Sequence, residues 1–321
     1  MVPSLVNEFR YYKDRIQCNN GNFIIANCYF QGLKMVGDES NRGACISFIS
    51  SVSSYFQAKM CYFSECQSVG TGGAVFVSVV QSNVLLEKSC GFKCITGGTS
   101  SVNAAVRGQF ANLNGDDNTC FEYKVLSISQ CGYIISESTY FYDSFYMRYG
   151  AHHLSSINSS NNIDQRYTSL SSLDAKTFHI SYYNCFMNRA LQYTSFLLER
   201  YGPDSKIEYS NFNNNTTPVS HGVLLFLWTS NNAYISNCVF QKNYGKLFSS
   251  DAANLPYVSQ NNWIFHTGST VLNEITMLSE TQTHRISDYN QAQCFADGMY
   301  RPTGSTRTWH FIGVFSSFLI E

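Results

Sequence analysis

The 321-residue sequence predicts an all-β chain wound into a parallel β-helix solenoid, and three observations carry that prediction. A short phrase recurs: FIIANCYF ends at Phe30, FQAKMCYF at Phe63, VLLEKSCGF at Phe92, IEYSNF at Phe212, YISNCVF at Phe240 and NNWIF at Phe265. Neighbouring copies are 33, 29, 28 and 25 residues apart. A second phrase lies between them: RGACISF at 42–48, GGAVFV at 72–77, HGVLLFL at 221–227 and GKLF at 245–248. Within the phrases, side chains alternate with period two. In Cys61-Tyr62-Phe63, Cys and Phe share one face and Tyr takes the other. A unit of 25–33 residues made only of short strands cannot bury its own apolar face, so it must stack on its neighbours. The regular leucine ladder of leucine-rich repeats is missing, and a propeller blade needs about 40–50 residues. A coil per repeat, about eleven coils at ~4.8 Å spacing, makes a rod of roughly 50 Å.

The elements follow in chain order. Residues 1–20 read as a cap or arm. Leu5, Phe9, Tyr12 and Ile16 fall at helical spacing, with Ser4 as a possible N-cap, so a short helix over the first coil is expected. The β-helix itself runs over 21–300. Its phrases blur between 132 and 178, which predicts irregular coils and an inserted loop near 150–166. Residues 301–321 form an apolar tail or cap, WHFIGVFSSFLI at 309–320, too short to span a bilayer. It could cap the last coil, dock on a partner, or be the stub of an anchor. Repeated Phe and Cys are expected as stacked ladders inside the rod, and Asn and Gly in turns with positive φ.

Composition narrows the function. Charged residues are 13% and aromatics 15%, which excludes a disordered chain. The net charge of −1, with no basic block, argues against nucleic acid as a partner. No apolar run reaches the ~20 residues of a membrane span. The first residues lack the apolar core of a secretory signal and carry Glu8, Arg10, Lys13, Asp14 and Arg15, which favours a cytoplasmic setting. Asn158, Asn214 and Asn215 lie in glycosylation sequons, expected by chance in so Asn- and Ser-rich a chain.

The alternation of Gly72-Gly73-Ala74-Val75 with Asn27-Cys28-Tyr29-Phe30, Ser210-Asn211-Phe212 and Asn237-Cys238-Val239-Phe240 resembles the right-handed parallel β-helix repeats of the pectin-lyase-like superfamily. It is most similar to the protist families described as polymorphic-membrane-protein-like. The likeness covers about 20–100 and 178–270. It implies the right-handed solenoid fold and leaves activity open, since its members include adhesins and enzymes that cleave acidic polysaccharides.

Twelve cysteines raise metal and disulfide readings. Cys61, Cys66, Cys90 and Cys94 only loosely match zinc spacing. Stacked residues have parallel Cβ vectors about 4.8 Å apart, too wide for a disulfide. Reduced core cysteines are expected, with no metal and no cofactor. Asp116-Asp117 and His221-Gly222 evoke the hydrolase pattern but lie 104 residues apart, beyond the ~5–9.5 Å that paired carboxylates require. His152-His153 read as a solvated loop pair. No catalytic residues are assigned. The partner-contact residues expected are Tyr140, Tyr142, Tyr146 and Tyr149 of an aromatic run, and Trp309, Phe311, Phe315 and Phe318 of the tail. The function expected is a non-enzymatic rod bound to other proteins in a larger assembly, cytoskeletal or flagellar-microtubule-associated. A cell-surface adhesin and a polysaccharide lyase or hydrolase are the alternatives.

Overall fold

The computed structural model describes residues 10–35, 42–96, 107–115, 122–131, 143–164, 166–218, 221–229, 231–250, 257–258 and 263–265. These form an all-β parallel solenoid of ten successive rungs. Each of the first nine rungs contributes a strand to a long sheet, A, and a second strand to a nine-stranded sheet, B. Rung 1 pairs Arg10–Tyr12 with Ile16–Asn19, rung 2 Phe23–Gln31 with Ile46–Ser50, rung 3 Tyr55–Ser64 with Val75–Val79. In rung 4 sheet A receives Asn83–Glu87 and Cys90–Phe92, and sheet B receives Ala111–Gly115. Rungs 5, 6 and 7 are Glu122–Cys131 with Phe145–Arg148, Ala151–Ser160 with Tyr167–Leu173, and Thr177–Phe186 with Thr194–Glu199. Rung 8 combines Ser205–Glu208 and Asn211–Asn213 with Gly222–Leu227, and rung 9 Ala233–Ser236 and Val239–Gln241 with Lys246–Ser250. Rung 10 is Tyr257–Val258 and Trp263–Phe265.

The predicted Phe and Cys ladders are present. Phe30 pairs with Phe63 and Phe212 with Phe240, with rings stacked at 5.2 and 5.0 Å. All four are fully buried. Two phrases are off by one residue. Gly91, not Phe92, lies opposite Phe63, and Ile264, not Phe265, lies opposite Phe240. Gly91 is required because the Phe110 ring occupies the space its Cβ would fill, 2.4 Å away. The aromatic spine therefore changes sheet: Phe63 passes to Phe110 and Phe145 at 5.6 and 5.5 Å, and Phe196 hands it back to Phe212 at 5.1 Å.

The segment 150–166 is not a loop. Its strand Ala151–Ser160 is in register with both neighbouring rungs, and Ile163–Asp164 pairs with Arg189–Ala190 of the next. The phrase blurs because small polar residues replace Phe and Cys inside the rod. Ser159, Ser160, Ser169 and Ser172 are fully buried, and the Ser169 and Tyr183 hydroxyls bond at 2.9 Å. Likewise Tyr12 and Ile16 lie in strands rather than in a helix, drawn into pairing with Phe30 and Ile46. Leu5 and Phe9 fall outside the described residues.

Positive φ marks the bends, but Asn and Gly do not monopolise them. Among the described residues, twenty non-glycine residues have positive φ, of which five are Asn; Met60, Tyr182, Arg200 and Trp228 are among the others. At one bend the amides of Glu65, Asn161, Met187 and Asn214 each donate to a carbonyl of the next rung at 2.8–3.0 Å. The left-handed conformation keeps the N–H in the ladder direction while the chain turns. The residue that follows is an asparagine in the later rungs. Asn162, Asn188, Asn215 and Asn243 are fully buried and hydrogen-bond from rung to rung. Asn215 Oδ1 accepts the Asn188 amide at 3.0 Å, and Asn215 Nδ2 donates to the Cys185 carbonyl at 2.9 Å and to Asn243 Oδ1 at 3.0 Å.

Asn215→Ala should therefore destabilise the rod by about 2–4 kcal/mol, because it strands a buried donor and a buried acceptor. Asn214→Gly, one residue away at an exposed positive-φ site, should cost nothing measurable. Chemical unfolding of the two variants distinguishes the ladder from the turn.

Candidate functional site

Strand alternation gives sheet B an outer face. Val75, Ala111, Phe145, Leu170, Phe196 and Leu224 point into the main core. Between them, Phe76, Asn112, Tyr146, Ser171, Leu197 and Leu225 stack in register on the opposite side. These outer residues are also buried, and Tyr146, Tyr167, Leu173, Leu197 and Leu225 form a second apolar cluster separate from the core. One side of the rod is thus covered and carries charge.

Along one edge of that face runs an ion-pair staircase. Arg148 Nε lies 2.9 Å from Asp174 Oδ2. Arg200 bonds Asp174 through Nε and Glu199 through Nη2, both at 2.7 Å. Burial raises the Glu199 carboxyl above its ordinary range, and Arg200 opposes that rise. Trp228, 64% exposed, lies under the same guanidinium at 5.8 Å. Asp174 and Glu199 are 25 residues apart and single in the sequence, yet adjacent rungs bring them to one arginine. The meeting joins rung neighbours and not sequence neighbours. Both carboxylates are held by Arg200, which suits an anchoring role better than proton transfer.

Along the opposite edge, Arg107 stacks over Tyr146 at 4.6 Å and donates to its hydroxyl. Asp143 is buried nearby, and its Oδ1 has no hydrogen-bond partner among the described residues. Burial pushes its carboxyl up to about 6, against the pull of Ser171 and Arg107. Tyr193 stands between Arg166 at 5.2 Å and His221 at 4.7 Å.

The sequence-predicted residues distribute unevenly. Tyr146 is buried under Arg107 and offers no surface, and Tyr149 is half-buried against Arg148. Tyr140, Tyr142, Asp116, Asp117, Trp309, Phe311, Phe315 and Phe318 lie outside the described residues. His152 is not solvated. It is fully buried, Nε2–H donating to the Tyr149 carbonyl and Nδ1 accepting from the Ser172 hydroxyl, both at 2.7 Å. Burial pulls it down to about 4, so it is neutral. His153 faces out and pairs with Glu122 at 3.3 Å. Cys28, Cys61, Cys66 and Cys94 are buried free thiols, whereas Cys90 is disulfide-bonded, which corrects the all-reduced expectation. The wide-spacing argument holds only between residues stacked on one wall. Among the described residues, no three of His, Cys, Asp and Glu are arranged to hold a metal ion, and no helix is long and apolar enough to cross a membrane.

The exposed aromatics escaped sequence reasoning. Tyr182 and Tyr209 stack at 5.4 Å at equivalent bends, in the aligned phrases ISYYNCF and IEYSNF. The 27-residue step between them was the available signal. Comparison with known protein families, curated proteins and solved structures returns no match.

Two buried groups oppose each other in acid. Asp143 has a higher value in the fold than in the unfolded chain, so its stabilising contribution is full below ~4 and lost as pH climbs to about 6. His152 has a lower value in the fold, so its contribution is lost as pH falls from ~6.5 to about 4. Asp143→Asn should raise stability at pH 7 by ~1–3 kcal/mol and leave the His152 slope exposed, a clear loss below pH ~6. Urea unfolding at four pH values between 4 and 7 reads both effects.

Proposed function

We propose that the chain is a non-catalytic β-solenoid rod that binds other proteins through its side, as one component of a larger assembly. One observation carries this reading. Of the ten large apolar side chains exposed among the described residues, seven lie between Tyr182 and Tyr244: Tyr182, Met187, Leu191, Tyr209, Trp228, Tyr234 and Tyr244. They girdle rungs 7 to 9. Tyr and Trp presented on a rigid scaffold are the side chains that dominate protein interfaces, because they bury large areas at small entropic cost. The resemblance to right-handed polymorphic-membrane-protein-like repeats is compatible with such a rod. The Cys90 disulfide favours an adhesin-like setting in an oxidising compartment over a cytoskeletal one. A triple variant, Tyr182→Ser, Tyr209→Ser and Tyr234→Ser, should abolish retention of the chain in the insoluble or surface-bound fraction of its own cell. Its heat-unfolding midpoint should stay within a few degrees of wild type. Unchanged retention would remove the girdle from the interface.

A second reading, a polysaccharide lyase or hydrolase, is favoured by Asp143: a carboxyl near pH 6 with an unpartnered oxygen, beside Arg107. It requires that purified protein depolymerise an acidic polysaccharide and that Asp143→Asn abolish the activity. Absence of both leaves the binding reading in place.

A further inference from the structure

Three asparagines stand in the acceptor pattern Asn-x-Ser/Thr for an N-linked glycan: Asn158 before Ser160, Asn214 before Thr216 and Asn215 before Thr217. Composition explains why such triplets occur, and burial separates them. Asn158 lies inside Ala151–Ser160, a strand paired on both sides. Its side chain is buried, its Oδ1 accepts from Asn184 Nδ2 at 2.9 Å, and Ser160 is fully buried. Asn215 belongs to the interior asparagine ladder. Its Nδ2 donates to the Cys185 carbonyl at 2.9 Å and to Asn243 Oδ1 at 3.0 Å. A glycan replaces an Nδ2 hydrogen by a sugar carbon. At Asn215 it would break a ladder bond and force a sugar ring into the packed core.

Asn214 is the opposite case. It is exposed, with a φ of 56°, at the bend that follows Asn211–Asn213. Its backbone N–H is held by the Gln241 carbonyl at 2.9 Å, so the residue is fixed in place. Its side chain makes no hydrogen bond among the described residues. Met187 and Lys242, at the same bend of the neighbouring rungs, are also exposed and share the positive φ. One column at the edge of sheet A therefore faces water across rungs 7 to 9, with Asn214 in its middle. A sugar on Asn214 Nδ2 leaves along the open direction and disturbs no contact of the fold.

We infer that Asn214 carries an N-linked glycan, and that Asn158 and Asn215 do not. The inference rests on the oxidising setting that the Cys90 disulfide favours, because sugar transfer to asparagine and disulfide formation share the secretory compartment. The donor is an oligosaccharide joined through C1 to a polyprenyl pyrophosphate. The bond from Asn214 Nδ2 to C1 forms, and the bond from C1 to the pyrophosphate oxygen breaks. The lipid pyrophosphate leaves with that electron pair, Nδ2 gives up one proton to solvent, and nothing is oxidised or reduced. Transfer to the unfolded chain can also reach Asn215, but a chain modified there cannot close the ladder between rungs 7 and 9. A glycan on Asn214 turns the bend of Met187 and Lys242 to water. The binding side of the rod narrows to the preceding bend, where Tyr182 and Tyr209 stack.

The full chain is isolated from its own cell and treated with peptide-N-glycosidase in oxygen-18 water, which labels each asparagine that held a glycan. Its peptides are then mapped by mass spectrometry without reduction, so that the state of Cys90 is read in the same sample. The label is expected on Asn214 and on neither Asn158 nor Asn215. Asn214→Gln should lose the glycan completely. So should Thr216→Ala, which destroys the Asn214 triplet and leaves that of Asn215 intact. A glycan that persists in Thr216→Ala, a label on Asn158 or Asn215, or an unmodified Asn214 in a chain whose Cys90 disulfide is intact overturns the inference and leaves the oxidising setting in place. An unmodified Asn214 together with a reduced Cys90 overturns both. Should either variant fail to accumulate, the wild-type map decides alone.

Discussion

In-register hydrogen bonding between successive rungs is the constraint on which everything else in this protein depends. Each rung donates to and accepts from its neighbours along both sheets, and the pattern continues around the bends. There the chain must turn without losing its N–H from the ladder. Among the described residues, twenty that are not glycine adopt positive φ. Such a conformation costs on the order of 1 kcal/mol or more for a side chain with a Cβ. No short segment would tolerate it alone. The neighbouring rungs impose it, which is why Met60, Tyr182 and Trp228 occupy positions where glycine or asparagine would be the local preference.

Stacking converts any choice made at one rung into a column. Where the column is apolar, the result is a ring stack such as Phe30 on Phe63. Where it is polar, the column must satisfy itself, and the asparagine ladder from Asn162 to Asn243 does so with a side-chain amide that both accepts and donates. Where it is thiol, as at Cys28 and Cys61, the donors and acceptors are weak. At Gly91, in register with Phe63 of the Phe column, the Phe110 ring fills the space a Cβ would take.

The same column rule assembles surface features. Asp174, Glu199 and Arg200 meet because they occupy matching or adjacent positions on neighbouring rungs, and Tyr182 meets Tyr209 for the same reason. The charged edge is half-buried and internally neutralised, whereas the aromatic girdle is exposed. That contrast makes the girdle the better candidate for recognition, and the staircase the brace that keeps its rungs aligned.

The sequence by itself determined the fold class, because the repeated phrases expose both the period-two alternation and the coil length. It also identified Phe30, Phe63, Phe212 and Phe240 as core, since their phrases are uninterrupted. It misplaced Phe92 and Phe265 by one residue and took 150–166 for a loop. Register depends on what the opposite sheet supplies, here the Phe110 ring, and buried serines and His152 look solvated until their hydrogen bonds are seen. The candidate site was legible only in parts. Tyr182 and Tyr209 share a phrase, but their exposure follows from the bend they occupy. The meeting of Asp174 with Glu199 on Arg200 was decided by tertiary structure alone, because rung-to-rung contacts join residues 25 positions apart that carry no mark of each other in the chain.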